Sequence, residues 1–160
     1  HRLDLGTSGI MLIALNKQAN ANLAKQFQLR TVTKTYLSIL DGHLDEDCGQ
    51  INAAIAKDPQ LFPRLKVCES TGKQARTDYQ VIERLSKPNS SRVRFHPQTG
   101  RTHQLRIHSQ YLGHPILGCD LYGTESSLKA SCRLMLHAET LEFDHPKTGE
   151  RVHGKCDSPF

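Results

Sequence analysis

An aspartate stands near the start of the chain, in the segment HRLDLGTSG at residues 1–9. A carboxylate in this setting can act as a nucleophile or a base, because it can form or break bonds at a sugar carbon. The simpler alternative is that Asp4 is a loop residue that accepts hydrogen bonds from the amides of Thr7 or Ser8. The residues alone leave both interpretations open.

A second segment, GRTHQLRIH at residues 100–108, concentrates two arginines, two histidines, a threonine and a glutamine. At helical spacing Arg101 and Arg106 lie about one and a half turns apart, so the two need not share a face. One of them can point to a carboxylate while the other meets a phosphate, since a guanidinium forms forked contacts with either group. A solvated basic helix is the competing explanation.

A third segment, KTYLSILDG at residues 34–42, alternates in the manner of a strand and contains Tyr36. A strand tyrosine usually belongs to the core, with its hydroxyl on a partner. The alternative is a tyrosine that stacks on an extruded base. Lys34, two positions earlier, can meet a phosphate in that case.

Four histidines, at positions 96, 103, 108 and 114, raise the question of a metal. Their separations do not give the i, i+4 pair of a helical zinc site, and no HExxH motif is present. A metal hydrolase is therefore disfavoured. A serine hydrolase built on Ser8 lacks the G-x-S-x-G elbow, and no glycine-rich motif for a nucleotide cofactor occurs.

The composition is that of one soluble globular domain: 160 residues, 37% hydrophobic and 23% charged. A net charge of +5 suits a polyanion such as nucleic acid, although an ordinary basic surface has the same charge. The five cysteines include no C-x-x-C pair, which favours free thiols in a reducing cytoplasm. The apolar run at 10–15 is too short to span a bilayer, and no secretory leader precedes it.

The elements that must position these residues follow from periodicity and caps. Residues 9–15 are predicted to form a buried strand, and Asn16 is predicted to cap the helix that follows. Further strands are expected at 34–42, 74–84 and 91–97, with a helix at 102–113 that Thr102 caps and two or three strands after residue 133. Because strands outnumber helices and do not alternate strictly with them, the predicted class is α+β.

Four blocks of the sequence resemble the motifs of the RluA family of pseudouridine synthases, in order and spacing. HRLDLGTSG resembles the HRLD-x-x-TSG motif that carries the family's catalytic aspartate, and KTYLSILDG resembles the motif that carries its tyrosine. GRTHQLRIH, with LGHPILGCDLYG at 112–123, is similar to the third motif. LMLHAETLEFDHPKTGE at 134–150 is similar to the block near the family's C-terminus. The match covers nearly the whole chain.

The resemblance implies a mixed, mostly antiparallel sheet flanked by helices, with residues 1–160 as the catalytic domain. The family's strands before HRLD and any S4 domain are then absent from it. It also implies an RNA-binding isomerase that converts uridine to pseudouridine as a cytoplasmic monomer, with no cofactor and no metal. Within the family, segment 66–83 most resembles members that modify both 23S ribosomal RNA and tRNA anticodon stem-loops. An RNA-binding module without activity is the remaining alternative.

The resemblance further implies roles for individual residues. Asp4, Tyr36 and Arg106 correspond to the catalytic set, and Arg106 is expected to pair with Asp4 and keep it ionised inside a water-poor pocket. Leu134 and Leu136 either line that pocket or belong to the plain core. The residues expected to bind substrate are Arg2, Lys34, Arg101, His103, Gln104 and Leu136.

Overall fold

A computed structural model describes all of residues 1–160 and has the predicted α+β architecture. The strands are β1 (Ser8–Gly9), β2 (Thr33–Asp41), β3 (Cys48–Asn52), β4 (Ile55–Lys57), β5 (Leu65–Val67), β6 (Arg76–Ser86), β7 (Asn89–Pro97), β8 (Leu136–Asp144) and β9 (Arg151–Lys155). The helices are α1 (Lys17–Leu29), α2 (Gln104–Tyr111) and α3 (Glu125–Lys129). None of the three is both long enough and apolar enough to cross a membrane.

Seven strands form one sheet in the order β1-β8-β2-β7-β6-β3, with β9 also paired to β8, while β4 and β5 form a separate ribbon. Every pairing is antiparallel except that of β1 with β8. This topology confirms the mixed, mostly antiparallel sheet. Central strand residues such as Leu40, Val93 and Phe95 are completely buried, and Ile107 of α2 belongs to the same core cluster.

The prediction of a strand over 9–15 is wrong, because only Ser8 and Gly9 pair with a neighbour. These two residues lie opposite His137 and Ala138 of β8. The Ile10 amide still donates to the Ala138 carbonyl at 3.0 Å, but from Thr140 onward the same edge of β8 is occupied by β9, so the segment at 11–15 has no backbone partner there. Three of its apolar side chains are exposed to solvent as a result: Met11, Ile13 and Leu15.

The helix predicted after Asn16 is confirmed as α1. The Asn16 side chain accepts a hydrogen bond from the Ala19 amide at 2.8 Å, as expected of an N-cap. Leu23 is buried, and Phe27, one turn later, lies half-buried with its ring stacked on His1 at 5.0 Å between ring centroids. The amphipathic pattern therefore directs one face of α1 toward the start of the chain.

Helix α2 begins later than predicted, because its N-cap is His103 and not Thr102. His103 adopts a left-handed backbone conformation with φ of 55°, and its side chain makes no capping bond. The preceding residues form a turn in which the Gln104 amide donates to the Arg101 carbonyl at 3.1 Å. This turn displaces the helix start past the threonine.

A β-bulge interrupts the pairing of β2 with β8 next to Tyr36. Thr35 pairs with Thr140, whereas Tyr36 pairs with Ala138, so Glu139 is the extra residue. A bulge bends its strand and changes where the neighbouring side chains point. The sheet is therefore irregular beside the residues that the sequence singles out.

Candidate active site

A cavity of about 470 Å³ opens between the start of the chain, α1, β2 and the turn before α2. This size falls within the usual range for ligand pockets, which hold on the order of 300–1,000 Å³. Seven of the predicted site residues line it: Arg2, Asp4, Lys34, Tyr36, Arg101, Gln104 and Leu136. His103 and Arg106 are absent from its wall.

The Asp4 side chain is free to act on a ligand. Its backbone carbonyl accepts a hydrogen bond from the Thr7 amide at 3.0 Å, so a turn is present, as the structural alternative required. The carboxylate takes no part in that turn and forms no ion pair or hydrogen bond with the protein. The main chain thus fixes the position of Asp4 while both carboxylate oxygens remain available.

Tyr36 lies in the same cavity and responds to the charge on Asp4. Burial, followed by the negative charge of Asp4, raises the pKa of Tyr36 to about 12. This coupling requires the phenol and the carboxylate to be close together. At neutral pH Tyr36 is therefore an intact phenol with a proton to donate.

The predicted ion pair between Arg106 and Asp4 is wrong in this structure. Arg106 pairs with Asp120 instead, and its Nε donates to the Cys119 sulfur at 3.3 Å. Its guanidinium carbon also lies 5.3 Å from the centre of the Tyr122 ring. Cys119 and Asp120 lie in the segment after Ile116, which forms a bridge with Leu40 of β2. Their contact with Arg106 of α2 could not be seen from the spacing of residues in the sequence. Arg106 is thus buried behind the cavity wall.

Gln104 also departs from its predicted role in contacting substrate. Its side-chain oxygen accepts from the Thr99 hydroxyl at 2.7 Å and from the Arg101 amide at 2.9 Å. Its nitrogen donates to the Arg76 carbonyl at 3.0 Å and to the Thr77 hydroxyl at 2.9 Å. A primary amide offers two donor hydrogens and two acceptor sites, and all are used. Gln104 therefore holds the turn before α2 and has no free capacity for RNA.

Three cations face the cavity without an acidic partner: Arg2, Lys34 and Arg101. Burial lowers the pKa of Lys34, because the charged amine is partly withdrawn from water. Arg101 is anchored through its Nε to the Gln74 carbonyl at 3.0 Å, which leaves its terminal nitrogens free. Three cations around one carboxylate suit a ligand that carries several negative charges.

Sequence reasoning missed other parts of the wall. Thr7 lines the cavity, and its hydroxyl is buried and has no hydrogen-bond partner in the protein. His1 and Phe27 contribute the stacked pair described above. The only sequence signal for Thr7 was its place in the same motif as Asp4. Nothing in the spacing indicated that α1 would contribute an aromatic ring.

Leu136 and Leu134 have different positions although both are buried members of the core cluster. Leu136 also reaches the cavity, as predicted, while Leu134 does not. Leu134 instead packs against Gly6, where a Cβ would approach it to 3.3 Å. The core interpretation therefore applies to Leu134.

The histidines do not assemble as the metal alternative required. His108 uses both ring nitrogens, at 2.9 Å from the Thr77 hydroxyl and 3.1 Å from the Ala53 carbonyl. His114 bonds to the Asp41 carbonyl at 2.7 Å. No group of three or more His, Cys, Asp or Glu side chains comes together in a geometry suited to a metal ion.

Ser8 does have a histidine partner, but not in an arrangement suited to hydrolysis. The Ser8 hydroxyl lies 2.9 Å from His137 Nδ1, and His137 Nε2 lies 2.9 Å from the Cys156 carbonyl. Neither side chain lines the cavity. These bonds tie β1, β8 and the C-terminal segment together, which is a structural role.

Comparison with known proteins agrees with this geometry. The family model described as RNA pseudouridylate synthase matches residues 1–111. The dual-specificity RNA pseudouridine synthase RluA of Yersinia pestis is 44% identical over 160 residues, covering 100% of this chain and 77% of the relative. The protein of that name from Pasteurella multocida (strain Pm70) is 47% identical over 150 residues, covering 94% of this chain and 68% of the relative.

Solved structures give the same result. Human RNA Pseudouridylate Synthase Domain Containing 1 superimposes with a TM-score of 0.89 and 38% identity, covering 100% of this chain and 68% of the human one. Human RNA Pseudouridylate Synthase Domain Containing 4 has a TM-score of 0.80 and 26% identity, covering 99% of this chain and 70% of the human one. The similarity thus extends over the whole fold described above.

Proposed function

The chain belongs to the RluA family of RNA pseudouridine synthases, and we propose that Asp4 is the carboxylate with which it isomerises uridine. In this reaction the N1–C1′ bond breaks, a C5–C1′ bond forms, and one proton moves from C5 to N1. No electrons are gained or lost overall. The observation that carries the proposal is a carboxylate without protein partners, in one cavity with a phenol and three unpaired cations.

Asp4 can serve in either of two ways. It can add to C1′ as a nucleophile, or it can remove the proton at C2′ as a base. Both steps need an available oxygen lone pair within reach of the ribose. The turn closed by the Thr7 amide keeps the Asp4 backbone in place while leaving that lone pair free.

Tyr36 is proposed to meet the extruded uracil ring. Extrusion of a base costs a few kcal/mol, and stacking on an aromatic ring offsets part of that cost. Since its pKa is raised to about 12, Tyr36 starts the reaction as a phenol. If it accepts the C5 proton, its own proton must pass to N1, so that the phenol is restored and the net transfer is from C5 to N1.

Arg2, Lys34 and Arg101 are proposed to hold the phosphates around the extruded nucleotide. In the free protein, the partly buried Lys34 has no acidic partner. A phosphate that enters the cavity supplies that negative charge. Arg106 is assigned a supporting position, because its contacts with Asp120 and Tyr122 keep it behind the wall.

Two RNA substrates are proposed, a uridine in 23S ribosomal RNA and one in a tRNA anticodon stem-loop. Relatives named dual-specificity RNA pseudouridine synthase are 44% and 47% identical to this chain, which supports this assignment. The similarity of segment 66–83 to such members supports it further. Separate stem-loops of the two types, offered alone and in competition, test the assignment.

The test of Asp4 uses single-turnover conversion of a stem-loop labelled with tritium at uridine C5, since the isomerisation releases that label. Asp4→Asn should lose turnover by at least about 10³-fold while RNA affinity stays within a few-fold of the wild type. Asp45→Asn is the matched control, because Asp45 is exposed and lies outside the cavity. Equal turnover by wild type and Asp4→Asn would contradict the assignment.

We further propose that the protein acts as a monomer in the cytoplasm. All five cysteines are free thiols, a state that a reducing compartment maintains. Light scattering of the active fraction, with and without RNA, tests the monomer. A dimer that is required for turnover would contradict it.

A further inference from the structure

Next to the cavity, a chain of hydrogen bonds ends on His103. The Tyr122 hydroxyl lies 2.8 Å from His103 Nδ1 and also accepts the Leu65 amide at 3.0 Å. Tyr122 is 1% exposed, so water does not reach the bulk of this side chain. These bonds connect α2 with the ribbon strand β5 through one phenol.

The direction of each bond follows from counting protons. The Leu65 amide can only donate, so the Tyr122 oxygen is an acceptor there. If His103 Nδ1 carried a proton and donated it, the Tyr122 O–H would be buried with no acceptor, which is unfavourable. If Tyr122 donates to Nδ1, the Leu65 amide, the Tyr122 hydroxyl and Nδ1 of His103 all have partners. Neutral His103 therefore carries its proton on Nε2.

The Nε2–H group is left available for a ligand. It has no hydrogen-bond partner in the protein. His103 lies between Thr102 and Gln104, both of which line the cavity. Burial lowers the pKa of His103, and the negative charge of Asp4 acts in the opposite direction. His103 thus lies next to the cavity that contains Asp4, between two residues of its wall.

The backbone conformation of His103 also indicates that its surroundings hold this residue in place. Its φ of 55° lies in the left-handed region, which is uncommon for a residue other than glycine. Such conformations persist where the surroundings fix them. Two guanidiniums also contact the Tyr122 ring, with that of Arg64 at 5.4 Å and that of Arg106 at 5.3 Å from its centre.

We propose that Tyr122 is a positioning residue that holds His103 in its Nε2–H tautomer, so that His103 donates a hydrogen bond to an oxygen of the target nucleotide beside Asp4. The proposal rests on the proposed function for its catalytic consequence. The tautomer itself does not depend on RNA or on turnover. This role also explains why a buried tyrosine and a strained histidine occur together at the start of α2.

The first experiment measures the tautomer directly by long-range nitrogen–proton NMR of the histidine rings in the free protein. His103 should be neutral with the proton on Nε2 at pH 7.5. Tyr122→Phe keeps the ring and removes the hydroxyl, and it should give a mixture of both tautomers. A wild-type His103 that carries its proton on Nδ1, or a Tyr122→Phe variant with an unchanged spectrum, would overturn the proposal.

The second experiment measures the catalytic consequence. Tyr122→Phe should lower kcat about 10-fold with little change in KM, as expected for loss of one oriented hydrogen bond. His103→Gln places an amide donor where Nε2–H stood, without a tautomer to select. In that background Tyr122→Phe should cost no more than about a further twofold, because the histidine through which Tyr122 acts is gone and about twofold is the usual scatter of additivity.

Tyr111→Phe is the matched control, because Tyr111 is an exposed tyrosine at the end of α2, the helix that His103 caps. It should leave both the spectrum and kcat unchanged. An equal loss of kcat from Tyr122→Phe in the wild-type and His103→Gln backgrounds would show that Tyr122 does not act through His103. If no stem-loop is turned over by the wild type, the proposed substrates fail, while the tautomer result still decides the role of Tyr122.

Discussion

Burial, and after it the negative charge of Asp4, raises the pKa of Tyr36, and this shift predicts a pH dependence of stability. The folded-state pKa of Tyr36 is about 12, above its ordinary value of 10.0. The stabilisation of the neutral phenol is therefore fully present below pH 10 and is lost as pH rises through 12. A rise of this size corresponds to about 2–3 kcal/mol.

Tyr36→Phe should remove the part of the stability loss at alkaline pH that comes from ionisation of Tyr36. Between pH 9 and pH 12 the free energy of unfolding should fall less steeply for the variant than for the wild type, by about 2 kcal/mol over that range. Urea unfolding at both pH values measures the difference. Tyr111→Phe, which alters an exposed tyrosine, should follow the wild type. Parallel curves for Tyr36→Phe and wild type would contradict the raised pKa of Tyr36.

The sequence predicted the individual groups of the site better than their partners. Asp4, Tyr36, Lys34 and Arg101 reach the cavity because each follows a local pattern: a turn, a strand or a motif with dense charge. The partner of Arg106 depends instead on how residues 119 and 120 return to α2. A pairing between distant segments is set by the tertiary fold and cannot be obtained from helical spacing.

Elements with a local signal were predicted well. Helix α1 starts at the Asn16 cap, and strands β2, β6 and β7 begin within two residues of the predicted positions. The segment at 10–15 has as strong an apolar signal, but a strand also needs an edge to pair with. The strand that takes this edge, β9, lies more than a hundred residues away in sequence.

At the scale of the element, the short strand β1 depends on Gly9. Its φ is +114°, and a Cβ there would lie 2.2 Å from the Ala138 carbonyl oxygen. Because that atom belongs to the backbone of β8, it cannot move aside easily. Gly9→Ala should therefore lower the free energy of unfolding by more than about 3 kcal/mol. It should also lower turnover, since β1 follows the turn that carries Asp4.

Gly149→Ala separates steric overlap from backbone strain. Gly149 has a similar positive φ of +75°, but no atom lies within 4 Å of the added Cβ. Its cost should be the left-handed strain alone, about 1–2 kcal/mol. Urea unfolding and single-turnover assays of both variants give the comparison. Equal destabilisation by the two variants would mean that the close approach of Gly9 to β8 adds no cost beyond the backbone strain.

At the scale of the whole molecule, the net charge of +5 and the cavity cations make different contributions to RNA binding. Net charge draws RNA toward the protein from any direction. A cation that touches a phosphate releases counterions, and each such contact changes the slope of log affinity against log salt by about 0.7–0.9. The three cavity cations together should then contribute a slope of about −2 to −3.

Two variants that remove the same charge at different places distinguish these contributions. Arg101→Gln should reduce the magnitude of the salt slope by about 0.7–0.9, because a phosphate contact is lost. Lys129→Gln should leave the slope unchanged, since Lys129 is paired with Glu125 at 2.6 Å on α3 and does not line the cavity. Fluorescence anisotropy of a labelled stem-loop at 50–300 mM salt measures both slopes. If the two variants reduce the slope equally, RNA is held by the overall charge, and the cavity cations have no special part in binding.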